Sequence, residues 1–309
     1  MAAFQVNLLR QYIIALTVNL KPEPAPRHLN LIFDSGAVNG LIGIGAALYL
    51  HHLEKIKYIK VNKISGCSVG SLIAMWYICG CPETIYSHIE TLFAYYKKHK
   101  NFFIFEEMVK VLIQQFFATD EAVGEKLNGV LYINYYDTKK CKQRVVSKFK
   151  NRAHLTRCII RSAHIPFLTS SSHKYQGRYI DGIAPFIFKI DKNDTCKNLF
   201  IQLIQFMSPL DSLRVKKDTN IYSRLLRGVV DTNEFFINGP SSVCSYVNYK
   251  TRLHLWFRQY FVLFILYLVD LFFFLKNAIP VSFKKTFCYN QLCTVLCKFG
   301  WPTILNLLA

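Results

Sequence analysis

From residue 28 onward, apolar patterns typical of strands alternate along the chain with apolar patterns typical of helices. The short run at 29–33 and the β-branched, alternating run at 58–64 predict strands, whereas the apolar stretches at 41–56 and 72–78 predict helices. Small residues in the first of these helices favour close packing on a sheet. Because strands and helices alternate, the pattern is typical of a crossover unit in a parallel sheet, and we expect an α/β domain.

Farther along the chain, mostly helical patterns are interrupted by short strand patterns. Two runs joined by a basic turn predict a β-hairpin, and a run that ends in an Asp-Gly pair predicts a further strand. The expected helices lie within 83–128, 155–163 and 218–233, and the expected strands are 132–136, 143–146, 177–183 and 199–206, of which 199–206 is the last strand of the sheet.

The segment 260–275 is apolar except for Asp270 and is flanked by basic residues, among them Arg252 and Arg258. Sixteen helical residues span about 24 Å, which is less than the roughly 30 Å of a bilayer core. Asp270 would add about 2.5–3.5 kcal/mol at the bilayer centre. We therefore favour an interfacial helix, or a hairpin with the apolar tail 286–309, over a simple membrane span. Packing on the protein core is the alternative.

These patterns divide the chain into four regions. An apolar segment and a proline-rich linker form 1–27, the α/β domain occupies 28–210, a helical or loop extension covers 211–251, and a hydrophobic region with basic flanks covers 252–309. Arg10 interrupts the first apolar segment, so we expect no secretory signal there.

Composition adds an expected partner and compartment. The 309 residues are 52% hydrophobic, and 38 Lys and Arg against 19 Asp and Glu give a formal net charge of +19. This charge predicts an anionic partner, and since no nucleic-acid-binding motif accompanies it, an anionic membrane surface is favoured over nucleic acid. Ten irregularly spaced cysteines indicate reduced thiols and a cytoplasmic, membrane-associated protein, with 260–275 as the segment able to anchor it. Three of them, Cys288, Cys293 and Cys297, lack histidines at ligand spacing, so no metal site is expected.

The sequence from Gly66 to Gly70 reads G-x-S-x-G, with Ser68 at its centre. It lies between the predicted strand 58–64 and the predicted helix 72–78, the context in which a sharp turn exposes a serine as a nucleophile. The two glycines are expected where the backbones crowd and leave no room for a Cβ. A helix-capping serine in a tight turn is the alternative interpretation.

A serine nucleophile needs a base and hydrogen-bond donors for an oxyanion, and two other segments can supply them. The loop 34–40 lies between a predicted strand and helix, so its amides can point to an anion site beside Ser68. Asp181 lies at a predicted strand end before Gly182, where a carboxylate can reach the rim of the sheet. His164 and His173 fall near the expected pocket, and we interpret both as packing or surface residues.

In order and spacing, the segments 33–40, 66–70, 162–167 and 181–182 resemble the motif blocks of the patatin-like phospholipases. The resemblance covers about residues 28–210. It implies a patatin-like three-layer α/β/α hydrolase fold with a central, mostly parallel sheet, to which a hydrophobic C-terminal helical appendage is added.

The resemblance also implies the roles of individual residues. Ser68 would be the nucleophile and Asp181 the base that takes its proton directly, in a Ser-Asp dyad that needs no metal or organic cofactor. Backbone amides of Gly36 and Ala37 would hold the oxyanion. The implied motif residues are Ser35, Gly36, Ala37 and Gly40 in the glycine-rich loop, Gly66 and Gly70 in the nucleophile elbow, and Asp181 and Gly182 in the Asp-Gly motif; the block 162–167 would shape the pocket.

The glycine-rich loop departs from the usual family pattern, which is three glycines followed, after one residue, by a basic residue. Those positions are Ser35, Gly36, Ala37 and Asn39 in this chain. Main-chain donors tolerate these side chains if φ stays negative. If Ala37 has a positive φ, one donor would be misaimed, which would lower turnover by roughly 10²–10³-fold.

Together these observations predict a serine esterase of phospholipase A type, a lipid acyl hydrolase that cleaves phospholipids or acylglycerols through an acyl-enzyme. A weakly active or inactive lipid-binding scaffold of the same fold and a basic nucleic-acid binder are the competing hypotheses. Headgroup preference and oligomeric state are left open by the sequence.

Overall fold

The computed structural model describes residues 2–80, 84–99, 101–190, 195–204, 221–278 and 291. The described strands are β1 Arg27–Phe33, β2 Ile59–Cys67, β3 Leu131–Asp137, β4 Lys142–Val146, β5 Tyr179–Ile180, β6 Lys197–Ile201 and β7 Cys244–Tyr246. The described helices are α1 Ala2–Thr17, α2 Gly40–Lys55, α3 Val69–Cys79, α4 Thr84–His99, α5 Phe105–Phe116, α6 Asp120–Leu127, α7 Arg152–Ser162, α8 Ile221–Asn238 and α9 Tyr249–Ala278, with a 3-10 turn at Ala37–Asn39.

The strands form one mixed sheet in the order β4-β3-β2-β1-β6-β7, with β5 paired to β3. Strands β3, β2, β1 and β6 run parallel at its centre, and β4, β5 and β7 are antiparallel additions. Residues 29–33 of the central strand β1 are buried on both faces, and their one polar side chain, Asn30, donates to Asn198 Oδ1 of β6 at 3.0 Å. The predicted α/β fold with a mostly parallel central sheet is confirmed.

Two layers cover the sheet. On one face, Leu31 and Phe33 of β1 belong to the main core, to which α2 and α3 contribute most of their side chains. On the other face, Ile32 contacts a smaller cluster that includes Phe188 and Leu255 of α9. The C-terminal helix predicted as an appendage therefore supplies part of the third layer.

One of the small residues of α2, Gly45, faces another helix and not the sheet. A Cβ added at Gly45 would collide with the backbone carbonyl of Leu225 in α8, and one added at Gly228 of α8 would collide with the carbonyl of Ile42. These glycines let two helices cross at close range, so the prediction that Gly45 serves packing on the sheet is wrong.

Two strand predictions also need correction. The run at 199–206 is not the last strand, because β6 ends at Ile201 and β7 pairs with it at the edge of the sheet. A three-residue strand such as β7 is too short to show a periodic pattern. The run at 177–183 contains only the two-residue strand β5. The hairpin of β3 and β4 is confirmed.

The apolar C-terminal segment is part of α9, a helix of 30 residues. Its portion Tyr249–Leu271 is long and apolar enough to cross a membrane by length and composition, and 6% of the most apolar window is buried in the protein. One face packs on the domain, where Val262, Leu263 and Leu266 contact a cluster that contains Ile180 and Ile183. The expected hairpin partner 286–309 and the three C-terminal cysteines lie outside the described residues.

Candidate active site

Three segments singled out in the sequence meet at one edge of the sheet. The loop 34–40 follows β1 and Ser68 follows β2, and because these parallel strands pair Phe33 with Gly66, both segments emerge side by side. Asp181 follows β5, which pairs with the carboxyl-terminal end of β3. The carboxyl ends of the strands thus bring together residues that lie far apart along the chain.

Ser68 occupies a strained turn between β2 and α3. Its backbone has φ 56° and ψ −130°, a conformation that L residues rarely adopt and that costs about 1–3 kcal/mol. A Cβ at Gly66 would collide with the carbonyl of Gly70, and one at Gly70 would lie 2.5 Å from the carbonyl oxygen of Asp34. The predicted crowding at both glycines is confirmed.

The predicted pocket block contributes a direct support for this turn. The backbone N–H of Ser68 donates to Ser162 Oγ at 2.9 Å, and Ser162 Oγ donates to the carbonyl oxygen of Asn134 at 2.7 Å. Asn134 lies opposite Cys67 in the sheet, so the turn is tied to β3. Because its own amide is used in this way, Ser68 does not offer that N–H to an oxyanion.

Asp181 lies against the side chain of Ser68 and is oriented by further donors. Its Oδ1 accepts the backbone N–H of Ile183 at 2.7 Å and the thiol of Cys67 at 3.6 Å. Burial raises the pKa of Asp181 to about 6, against the opposing effects of the hydrogen bonds from Ser68, Ile183 and Cys67 and of the charge of Arg258. Above that pH, the carboxylate is ionised and can accept a proton from Ser68.

The loop 34–40 presents backbone amides beside Ser68. Gly36 has an extended φ of −175°, whereas Ala37 has a φ of 43°, the positive value at which we expected one donor to be misaimed. Among the described residues, the amides of Gly36 and Ala37 donate to no protein acceptor. A ligand oxygen in the adjacent pocket is thus free to accept them. Ser35 Oγ donates to the carbonyl oxygen of Ile183 at 3.2 Å, which ties the loop to the segment after Asp181.

The first residue of this loop, Asp34, forms a buried ion pair. Its side chain has no exposed surface, and its carboxylate accepts two hydrogen bonds from the guanidinium of Arg258 in α9, one of them at 2.9 Å. The same carboxylate accepts the backbone N–H of Ser35 at 2.9 Å and that of Leu203 at 3.4 Å. Arg258, predicted as a flanking cation of a membrane segment, instead contacts the glycine-rich loop.

Asn39, at the position where a basic residue is usual, holds the other end of the loop. Its side-chain amide donates to the carbonyl oxygen of Leu203 at 2.8 Å, and its Oδ1 accepts a hydrogen bond from Arg224 of α8. A Cβ added at Gly40 would lie 2.5 Å from the side chain of Val69, so the start of α2 packs closely on the start of α3.

An apolar cavity of about 500 Å³, including its opening to solvent, lies in front of Ser68 and Ala37. The walls are almost entirely apolar and suit a hydrocarbon chain. The apolar lining side chains are Val38, Val69, Leu92, Phe102, Phe105 and Ile165.

The two histidines near the site have packing and surface contacts. His164 is buried, and burial lowers the pKa of its imidazole to about 4, so the ring is neutral at physiological pH. His173 lies 3.3 Å from Asp270 of α9. Among the described residues, no cluster of histidine, cysteine or acidic side chains is placed to hold a metal ion.

Sequence reasoning missed three supporting residues: Asn134, Cys67 as a donor to Asp181, and Arg258. Their partners lie on other elements, and Arg258 is separated from Asp34 by 224 positions. Only the presence of an arginine inside an apolar helix could have drawn attention to Arg258.

Comparison with known families adds one finding. Residues 31–184 match the family model described as patatin-like phospholipase, and this stretch contains loop 34–40, Ser68 and Asp181. No curated protein matches the chain.

Proposed function

Because the chain belongs to the patatin-like phospholipase family, we propose that it is a lipid acyl hydrolase that cleaves fatty-acyl esters of phospholipids or acylglycerols. The proposed nucleophile is Ser68 and the proposed base is Asp181. The observation that carries this proposal is that Ser68, at a strained turn, lies next to the Asp181 carboxylate, which Ile183 and Cys67 hold in place.

In the first half of the proposed reaction, Ser68 Oγ attacks the acyl carbonyl carbon while Asp181 takes the hydroxyl proton. The amides of Gly36 and Ala37 stabilise the negative charge that develops on the carbonyl oxygen. As the tetrahedral intermediate collapses, the ester bond breaks, and Asp181 returns the proton to the departing alcohol. The acyl group is then bound to Ser68.

In the second half, water attacks the acyl-enzyme, and Asp181 again accepts a proton. Collapse of the second intermediate releases the fatty acid, and Ser68 regains its proton from Asp181. The apolar cavity in front of Ser68 would hold the acyl chain during both halves, which favours long-chain esters over water-soluble ones.

The test of this proposal combines a substrate assay with active-site labelling. Purified protein is incubated with phospholipid vesicles and, separately, with an emulsified acylglycerol, and released fatty acid is measured by mass spectrometry. A fluorophosphonate probe should modify the tryptic peptide that contains Ser68. Absence of both fatty-acid release and the adduct would instead support a lipid-binding scaffold without turnover.

The loop conformation at Ala37 leads to a first quantitative prediction. Alanine at φ 43° is disfavoured by about 1 kcal/mol relative to glycine, so Ala37→Gly should relieve this backbone strain and let the amide of residue 37 turn toward the oxyanion. We expect kcat to rise by up to about fivefold, with a similar rise in the rate of fluorophosphonate labelling. Ala153→Gly, in the first turn of α7, serves as a control in which neither rate rises. A fall in kcat for Ala37→Gly would show that the loop needs the restraint of alanine.

For membrane association we propose that α9 lies along the membrane surface. Arg258 and Asp270 both contact the domain, and they are separated by about 18 Å of helix, so this part of α9 lies on the protein. Its outward face is rich in exposed aromatic side chains, with Phe261 66% exposed. This face can enter the interface, where basic side chains of the protein meet anionic headgroups. The other exposed aromatic residues described in α9 are Tyr249, Trp256, Phe257, Tyr260, Phe264, Tyr267 and Phe274.

A triple variant, Phe257→Ser, Phe261→Ser and Phe264→Ser, tests this orientation. Each aromatic ring inserted into the interface contributes on the order of 1 kcal/mol, so binding to anionic vesicles in a flotation assay should fall at least about tenfold. Hydrolysis of a water-soluble short-chain ester should be retained, because these rings face away from Ser68.

The matched control replaces three exposed apolar residues of α8, Leu226, Val230 and Ile237, with serine. Vesicle binding should be unchanged in this control. Equal loss of binding in both triple variants would mean that α9 has no special part in membrane association.

A further inference from the structure

The buried guanidinium of Arg258 is unusual for its position on an otherwise apolar helix. It lies within the part of α9 that is apolar enough to cross a membrane, yet it points to the domain and makes two hydrogen bonds with Asp34. Burial of a charged side chain costs free energy unless an oppositely charged group forms hydrogen bonds with it. The two hydrogen bonds with Asp34 meet that requirement.

Asp34 transmits this contact to the glycine-rich loop. Besides Arg258, its carboxylate holds the amide of Ser35, which directly precedes the proposed oxyanion donors Gly36 and Ala37. Its backbone carbonyl oxygen lies 2.5 Å from the place that a Cβ at Gly70 would take, so Asp34 also packs against the turn that carries Ser68. The side chain of Asp34 thus contacts the donor loop, and its backbone contacts the turn of the nucleophile.

The same helix contacts the segment that carries the proposed base. Val262, Leu263 and Leu266 pack against Ile180 and Ile183, the residues on either side of the Asp181-Gly182 pair. One helix face thus touches the donor loop through Arg258 and the base segment through apolar contacts. Arg258 lies outside the stretch 31–184 that matches the family.

We propose that Arg258 is a positioning residue of the active site, which holds the donor loop through Asp34 and thereby makes α9 a part of the catalytic unit. This inference rests on the proposed hydrolase function. Arg258 itself touches neither substrate nor reacting atoms. Its role is to fix the place of the Gly36 and Ala37 amides relative to Ser68.

The experiment compares Arg258→Met with Arg252→Met, the same change at an exposed arginine of α9. Displacement of donors by about 1 Å lowers turnover on the order of 10²-fold. We expect kcat and the fluorophosphonate labelling rate to fall by about that factor in Arg258→Met, with KM little changed. Arg258→Lys keeps the charge but loses the bidentate contact with Asp34, so its kcat and labelling rate should lie between those of Arg258→Met and the wild type. Arg252→Met should match the wild type.

A double variant, Asp34→Asn with Arg258→Met, separates positioning from stability. It leaves no unpaired buried charge, so the melting temperature should recover relative to the single variant. If Arg258 only stabilises the fold, kcat will recover as well. If it positions the loop, kcat will stay low, and recovery of kcat in the double variant would overturn the inference.

Hydrogen exchange of the peptide containing 34–40 provides a readout that does not depend on turnover. Exchange should be faster in Arg258→Met and in the double variant than in the wild type and Arg252→Met. An inert, unlabelled wild type would contradict the proposed hydrolase function, whereas unchanged loop exchange in Arg258→Met would contradict the positioning role by itself.

Discussion

Replacement of Ser68 with alanine should reduce fatty-acid release by roughly 10⁴–10⁶-fold, because no other group takes the place of a serine nucleophile in covalent catalysis. The fluorophosphonate adduct should disappear with the same substitution. Initial rates of hydrolysis and mass spectrometry of the labelled peptide measure the two effects. Residual activity would reflect only substrate binding and the backbone donors of loop 34–40.

The control for this variant is Ser242→Ala, which removes an exposed hydroxyl that bonds Asp231 near the end of α8. Its kcat and labelling should equal those of the wild type. The Ser68→Ala protein should remain folded, because the supporting bond uses the Ser68 amide and not its hydroxyl. Substantial hydrolysis by a folded Ser68→Ala protein would remove Ser68 from the mechanism.

The second large effect is expected for Asp181→Asn, which keeps the shape of the side chain and removes the proposed base. We expect kcat to fall by roughly 10³–10⁴-fold. In the wild type, kcat should rise with pH through about 6 and then level off, because burial raises the pKa of Asp181 to about 6 and only the ionised carboxylate accepts the proton. A kcat that does not rise with pH near 6 would contradict the assignment of Asp181 as the base.

Asp181→Asn should also make the protein more stable at neutral pH. Because the pKa of Asp181 is raised in the native state, the native protein keeps this proton between about pH 4 and pH 6, where the unfolded chain has released it. The stability that comes from binding this proton is lost as pH rises through about 6. Asparagine does not ionise, and the variant should gain up to about 3 kcal/mol in the free energy of unfolding above pH 6. The gain should vanish below pH 4. Urea denaturation at several pH values measures it.

Asp137 provides the matched control, since it is also an aspartate with a buried side chain near a strand end. Its hydrogen bonds with Arg178 hold the pKa of this carboxyl down at about 2. Its contribution to stability is therefore present above pH 4 and lost as pH falls through about 2. Asp137→Asn should lower stability at neutral pH and leave kcat unchanged, whereas Asp181→Asn should raise stability and lower kcat. A gain of stability in Asp137→Asn would contradict a stabilising ion pair between Asp137 and Arg178.

Local sequence patterns predicted the elements that carry the site. The strand before Ser68, the helix after it and the crowding at Gly66 and Gly70 depend on neighbouring residues, so period and residue type were enough to predict them. The same holds for loop 34–40 and for the hairpin of β3 and β4. The catalytic roles of Ser68 and Asp181 stay predictions until the variants are measured.

The contacts that support the site depend on elements distant in the chain, and the sequence did not predict them. Ser162 supports Ser68 only because α7 packs beside β3, and β7 was missed because three residues carry no period. The sequence raised a positive φ of Ala37 as one possibility, and only the folded loop shows that Ala37 adopts it.

The C-terminal helix shows this division most clearly. Its length and apolar character were readable from composition, because hydrophobicity is a property of each residue. Whether Arg258 faces a membrane, water or the protein depends on which surface the helix meets, and that was decided only by the fold, which placed Asp34 at the end of a parallel strand beneath it. The sequence by itself therefore determined the α/β elements and the motif residues, and the tertiary structure alone decided which distant charges hold them in place.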